Sequence, residues 1–220
     1  MSVRIGCNIT LHSYTYLSSS RTSLMASYAS SRASNASVRR SVFFSSASFS
    51  SYSATTPELI LIEDIAHALS MLCRGNGHVS SFWSVGEHCI CCAKEAAGRG
   101  LSKKVVLACL LHDASECYMS DVPRPLKQNM KDKQQESSLL DVIYRKFLGE
   151  ALTEEEEKQI KAIDDDLLRY DLEMLLGEKQ DREKPELHIR LDYKVRPFDM
   201  VEREYLDFFR ELSSELENKV

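Results

Sequence analysis

From Pro57 onward the apolar positions recur at intervals of three and four, the spacing of helices that turn one face to a core. Leu59, Ile62, Ile65, Ala66, Leu69 and Leu72 set out a first helix, with Pro57 in its first turn and the glycine turn Arg74-Gly75-Asn76-Gly77 at its end. Ser84 and Glu87 form a capping box for a second helix, whose inward face carries Val85, His88, Cys89, Cys92, Ala93 and Ala96. A third helix begins at Ser102. The short link over 98–102 sets it antiparallel to the second. It runs through Ala108-Cys109-Leu110-Leu111 into His112-Asp113, reaches Glu116 one turn later, and is stopped by Pro123 and Pro125. Leu139, Leu140, Ile143, Phe147 and Leu148 mark a fourth helix, Thr153 and Glu156 cap a fifth, and Val201, Tyr205, Phe208 and Leu212 give a last amphipathic one. Alternating strand patterns are absent. The expected fold is an all-α bundle of about six helices over residues 57–220.

Polar groups set into these apolar faces are the unusual feature. A His and an Asp on a helix that is apolar on nearly every side must be neutralised, hydrogen-bonded or bound to a cation, because an unpaired buried charge is very costly. A divalent metal answers for both, and neutral imidazole plus carboxylate suits Mn, Fe, Co, Mg or Zn. His88 shares the inward face of the second helix. A lone inward His is more often an ordinary core residue than a ligand, but His112-Asp113 follows on the neighbouring helix. In the fifth helix, Ile160, Ile163, Leu167, Met174 and Leu175 define the apolar side. At about 100° per residue Asp164 falls within that side, Asp165 at its edge and Asp166 nearly opposite. Asp164 is therefore the inward acid, with Asp171 on the same face two turns on, while Asp165 and Asp166 read as solvated charges.

Composition separates residues 1–56 from the rest. About a third of them are Ser, the only charges are Arg4, Arg21, Arg32, Arg39 and Arg40, and the first acid is Glu58. That acid-poor, Arg- and Ser-rich profile predicts a mitochondrial transit peptide and a matrix location, with a plastid peptide, or a disordered tail on a cytoplasmic protein, as alternatives. With those five arginines set aside, a whole-chain charge of −5 leaves −10 on residues 57–220. Such an acidic body is a poor match for a nucleic-acid polymer. Apolar runs fall short of the roughly 18 residues of a membrane span, so no membrane is expected as a partner. The seven cysteines are odd in number and crowd into helical segments, which fits a reducing compartment. Cys89-x-Cys91-Cys92 has no second pair at zinc-ribbon spacing and reads as small apolar residues.

His88, His112-Asp113 and the distant inward Asp164 together resemble the H…HD…D pattern of the HD superfamily of metal-dependent phosphohydrolases. Ser84-Val85-Gly86-Glu87-His88, His112-Asp113-Ala114-Ser115-Glu116 and Ser120-Asp121-Val122-Pro123 are similar to the branch that includes the 5′-deoxyribonucleotidases, most clearly over residues 63–127. The resemblance implies that His88, His112, Asp113 and Asp164 bind one divalent metal, that Glu116 and Asp121 serve catalysis, and that the chain forms a homodimer. Glu116, four residues after His112, would orient or deprotonate the attacking water, and Asp121 would attend the leaving sugar oxygen. Arg74, His78 and Lys127 are candidate phosphate contacts, and Gly75 stands where the deoxyribonucleotidases carry a Trp. The expected activity is hydrolysis of a phosphomonoester of a small metabolite, foremost a nucleoside 5′-monophosphate. The alternatives are hydrolysis of guanosine tetraphosphate or a cyclic nucleotide, and a retired domain that binds a nucleotide and regulates. A dinuclear oxygenase is disfavoured because no His lies in residues 114–187.

Overall fold

A computed structural model of the chain describes residues 57–121, 133–179 and 183–217. The segment 1–56 expected to be a transit peptide, the stopping prolines Pro123 and Pro125, and Lys127 lie outside the described residues. Those residues form an all-α fold. Its elements are α1 (Ile62–Met71), α2 (Val85–Gly98), α3 (Lys103–Leu111), the single turn α4 (Glu116–Met119), α5 (Lys133–Leu148), α6 (Glu154–Leu176) and α7 (Phe198–Glu217). An isolated antiparallel bridge, Cys73 with Ser84, is the one β feature among the described residues. No described helix is long and apolar enough to cross a membrane.

The most hydrophobic element takes the centre. Every residue of α3 from Val105 to Leu111 is buried, and α2, α5, α6 and α7 all pack against it. The last turn of α3 is tied from across the core, where the fully buried Tyr205 of α7 donates its hydroxyl hydrogen bond to the Leu110 carbonyl at 2.6 Å. Both capping boxes form as the sequence implied, Ser84 with Glu87 and Thr153 with Glu156, and Ser102 caps α3 through the Val105 amide.

Three local expectations are corrected. Pro57–Leu59 is a separate 3-10 turn with Leu59 exposed, and α1 starts only at Ile62, because Leu61 before it is extended at φ −106°, ψ 135°. Met174, assigned to the apolar side of α6, is 53% exposed, and that side is completed instead by Asp171 at 6%. The helix carrying His112 does not run on to Glu116. It ends at Leu111, and the next bonds are the tighter i to i−3 kind, Ala114 N–H to Leu111 and Glu116 N–H to Asp113. The tighter winding turns Glu116 away from the angle that a continuous helix would give it, and α4 packs on α1.

Between α6 and α7, residues 183–197 lie across the bundle as a strap without helix. Tyr170 donates to the Pro185 carbonyl at 2.6 Å, and the buried Glu95 of α2 accepts from the backbone amides of His188 and Ile189. Gly98 makes this seat possible, since a Cβ there would lie 2.7 Å from the Cβ of His188. Further on, Tyr193 stacks on the buried Trp83 with ring centroids 4.9 Å apart.

Candidate metal centre

The antiparallel pairing of α2 and α3 sets the start of one beside the end of the other, so the rings of His88 and His112 approach with centroids 5.2 Å apart. Asp164, from α6, lies between them, its Oδ1 3.1 Å from His88 Nε2 and 3.8 Å from His112 Nε2. Asp113 Oδ2 is 3.3 Å from His112 Nε2 and 4.0 Å from His88 Nε2. The four residues expected to gather do gather. Asp165 instead pairs with Lys161 on the surface, and Asp166, read as solvated, forms an ion pair with Arg99 at 2.9 Å.

His112 shows which of its nitrogens faces this cluster. Its Nδ1 is 2.7 Å from the Cys109 carbonyl, which can only accept, so Nδ1 carries a proton and Nε2 is the nitrogen turned toward the cluster. That Nε2 is buried and has no hydrogen-bond partner among the described residues. Sulfur is close too. The ligand atoms of His88, Cys92 and His112 lie within 4.8 Å of one another, as do those of Cys89, His112 and Asp113.

The charges of the cluster are mutually dependent. Burial alone would lower both imidazole pKa values, and Arg74 adds to that at His88, yet carboxylates raise both: Asp164 and Asp171 at His88, Asp113 and Asp164 at His112. Burial would raise Asp164, and the two imidazoles beside it hold it well below the usual carboxylate range. Asp113, opposed in the same way by burial, is lowered by His112 and Arg74. Burial keeps the thiols protonated, pushing Cys109 up to about 12 and Cys92 well above its ordinary value. The carboxylates thus favour positive charge at the two imidazoles. One divalent ion would supply the same charge to the same atoms, and the orphaned Nε2 of His112 is the group such an ion would satisfy.

Arg74 and Asp121 enter from the rim. Arg74 Nη1 is 3.3 Å from Asp113 and 3.8 Å from Asp121, and Nη2 is 3.7 Å from Asp171. Burial would lower its pKa, and these three carboxylates together with Asp164 outweigh that and raise it. The Arg74–Gly77 turn is drawn in by Asp121, whose Oδ2 accepts from the Gly75 amide at 2.6 Å, and by Ser120, which donates to Asn76 Oδ1 at 2.7 Å. Gly75 and Asn76 are both left-handed there, at φ 56° and 53°, which suits glycine and asparagine. Glu116 is 4% exposed. His78 caps the turn with its backbone and is exposed.

Sequence reasoning left three neighbours of the cluster unassigned. Asp171 Oδ2 lies 3.2 Å from His88 Nδ1, and its place on the inward face of α6 was a visible signal. Cys92, one turn after His88, has Sγ 3.5 Å from His88 Nε2. Tyr193 donates to Asp171 Oδ1 at 2.8 Å from a segment with no helical period to betray it.

No family model matches the chain. It is similar to the uncharacterized protein YfdR of Escherichia coli, 34% identical over 98 residues, which cover 44% of this chain and 52% of that one. It is also similar to an uncharacterized protein of Rhodobacter capsulatus, 33% identical over 129 residues, 56% of this chain and 66% of the other. The chain thus spans about half to two thirds of the length of these curated relatives. Neither name carries an activity, so a functional reading rests on the cluster itself.

Proposed function

We propose that residues 57–220 are an HD-type, metal-dependent phosphohydrolase that cleaves a phosphomonoester of a small metabolite, foremost a nucleoside 5′-monophosphate. The observation that carries this reading is the convergence of His88 Nε2, His112 Nε2, Asp113 Oδ2 and Asp164 Oδ1, with the His112 nitrogen left open by the bond its ring makes to Cys109. These four would hold one divalent cation. Asp113 and Asp164 precede the thiols as ligands because they are already ionised, while Cys89 and Cys92 are kept protonated by burial. Neighbouring sulfur still weights the choice among Mn, Co, Mg, Fe and Zn toward the borderline ions Zn, Co and Fe. When bound, such an ion supplies Lewis-acid polarisation and a lowered pKa for water.

The remaining groups divide the rest of the chemistry. Arg74 has five N–H donors and faces the cluster from the rim, so it presents positive charge to a phosphate entering beside Asp113. Asp121 holds the backbone of that turn and keeps Arg74 in place, and from there it would attend the leaving oxygen. Glu116 is assigned to the attacking water, from its own turn rather than from an extension of α3.

The test is a matrix of metals against substrates. The full chain, stripped and reloaded separately with Mn, Co, Mg, Fe or Zn, is assayed for phosphate release from nucleoside 5′-monophosphates, guanosine tetraphosphate and cyclic nucleotides. The expected result is metal-dependent turnover that is greatest on monophosphates. Nucleotide binding without turnover under any metal would overturn the reading in favour of a regulator.

A further inference from the structure

His88 sits between two carboxylates: Nε2 looks at Asp164, and Nδ1 at Asp171 on the far side of the ring. The two acids differ in their surroundings. Asp164, with its side chain 20% exposed, reaches solvent and also touches His112. Asp171 is 6% exposed and lies behind the ring, where Tyr193 donates to its Oδ1 and Arg74 stands 3.7 Å from its Oδ2. Across the 3.2 Å between them, His88 Nδ1 and Asp171 Oδ2 are an ion pair short of ideal hydrogen-bond alignment, and neither atom has a hydrogen-bond partner elsewhere among the described residues. A carboxylate in that place can only accept. Asp164 beside Nε2 can only accept as well, but it is 20% exposed and shared with His112, so when the ring holds a single proton the buried Asp171 keeps it on Nδ1 and the lone pair falls on Nε2.

We propose that Asp171 is a positioning residue that fixes the Nδ1–H form and the orientation of His88, and that Tyr193, braced on Trp83, fixes Asp171 in turn. The strap thus reaches the centre through one chain of contacts: Trp83 to Tyr193, Tyr193 to Asp171, Asp171 to His88. A ligand imidazole whose outer nitrogen donates to a carboxylate is both oriented and made more basic, and losing such a partner typically weakens metal binding about 10- to 100-fold. Asp171 would not touch the cation or the substrate. Its value to the cation rests on the metal-binding reading above, whereas its control of the His88 tautomer does not.

The experiment uses the full chain, labelled with 15N at histidine, as wild type, Asp171→Asn and Tyr193→Phe. The His88 ring is first read by long-range 1H–15N NMR on metal-free protein, at a pH high enough to deprotonate it. Zn or Co affinity is then measured by competition with a chromogenic chelator, with Asp164→Ala as the reference for loss of a direct ligand. In the wild type Nδ1 is expected to be protonated and Nε2 not. Asp171→Asn should erase that preference and weaken metal binding about 10- to 100-fold, less than Asp164→Ala does. Tyr193→Phe, which keeps the ring on Trp83 and carries the test should the Asn variant fail to fold, should shift both readouts in the same direction by less. An unchanged tautomer together with affinity within about twofold of wild type in both variants would overturn the proposal. A wild type that binds neither metal yet loses its tautomer preference in Asp171→Asn would sink the phosphohydrolase reading and leave this one standing.

Discussion

Asp164 Oδ1 lies 3.1 Å from His88 Nε2, joining two helices whose residues are 76 positions apart in the sequence. The same oxygen is 3.8 Å from His112, so this carboxylate, like that of Asp113, is shared by both imidazoles. Its neighbour two positions on faces away and pairs with Arg99. Asp164→Ala should therefore weaken metal binding by more than the roughly 100-fold that marks the loss of a merely orienting partner, while Asp166→Ala should leave affinity within about twofold. Calorimetric titration of Zn or Co into folded samples of each decides it, and equal affinities would remove Asp164 from the ligand set.

Glu116 and His112 should part company in the same assays. Glu116→Ala is expected to retain the metal and lose roughly 10²-fold in turnover, the usual contribution of a positioned acid or base. His112→Ala should lose both, since its Nε2 lies among the carboxylates while its Nδ1 is tied to Cys109. Metal content by mass spectrometry, set beside turnover number, separates the two. Release of metal from Glu116→Ala would make Glu116 a ligand.

The strap provides a pH dependence remote from the candidate metal centre. Glu95 is fully buried, which would raise its pKa, but Arg99, the His188 ring and the His188 amide bond the ionised form and lower it. A depressed folded-state pKa stabilises the protein at pH values above the unfolded-state pKa of about 4.3, and that stabilisation fades as pH falls through the folded value. Glu95→Gln should cost about 1.5–3 kcal/mol at neutral pH, the range for hydrogen bonds to a charged group. The deficit should shrink on acidification. Urea unfolding midpoints of both proteins between about pH 6 and pH 3 test this, and parallel curves would show that Glu95 does not titrate with folding.

Tyr205→Phe removes a hydroxyl that bonds the Leu110 carbonyl, just ahead of His112. A loss of about 0.5–1.5 kcal/mol is expected for the bond, with more if the carbonyl is left unsatisfied. Chemical denaturation gives the number. Metal affinity should change less than in Asp171→Asn, because Cys109 still holds the His112 ring.

The helices were legible wherever a cap and a period agreed, as at Ser84 with Glu87 or Thr153 with Glu156, because both signals are local. The inward positions of His88 and Asp164 followed from the same period. Tertiary contacts were harder to see. The break after Leu111 leaves no trace in residue types, since Asp113, Ala114 and Ser115 would sit equally well in a continued helix. Leu59 and Met174 keep the period and are exposed, because a face is buried only where another element covers it. Tyr193 could not have been found at all: a strap without helix has no repeat, and its hydroxyl meets Asp171 only after α6 has docked on α2.

Gly98 lies on the surface and outside the cluster, so a survey ranking positions by burial or by nearness to the cluster would pass it over. A single methyl there would collide with the stem of His188, which has no flexible end to move aside. The strap would have to lift, carrying Tyr193 with it. A change as small as glycine to alanine would then disturb the cluster at a distance while every residue of that cluster remained in the sequence.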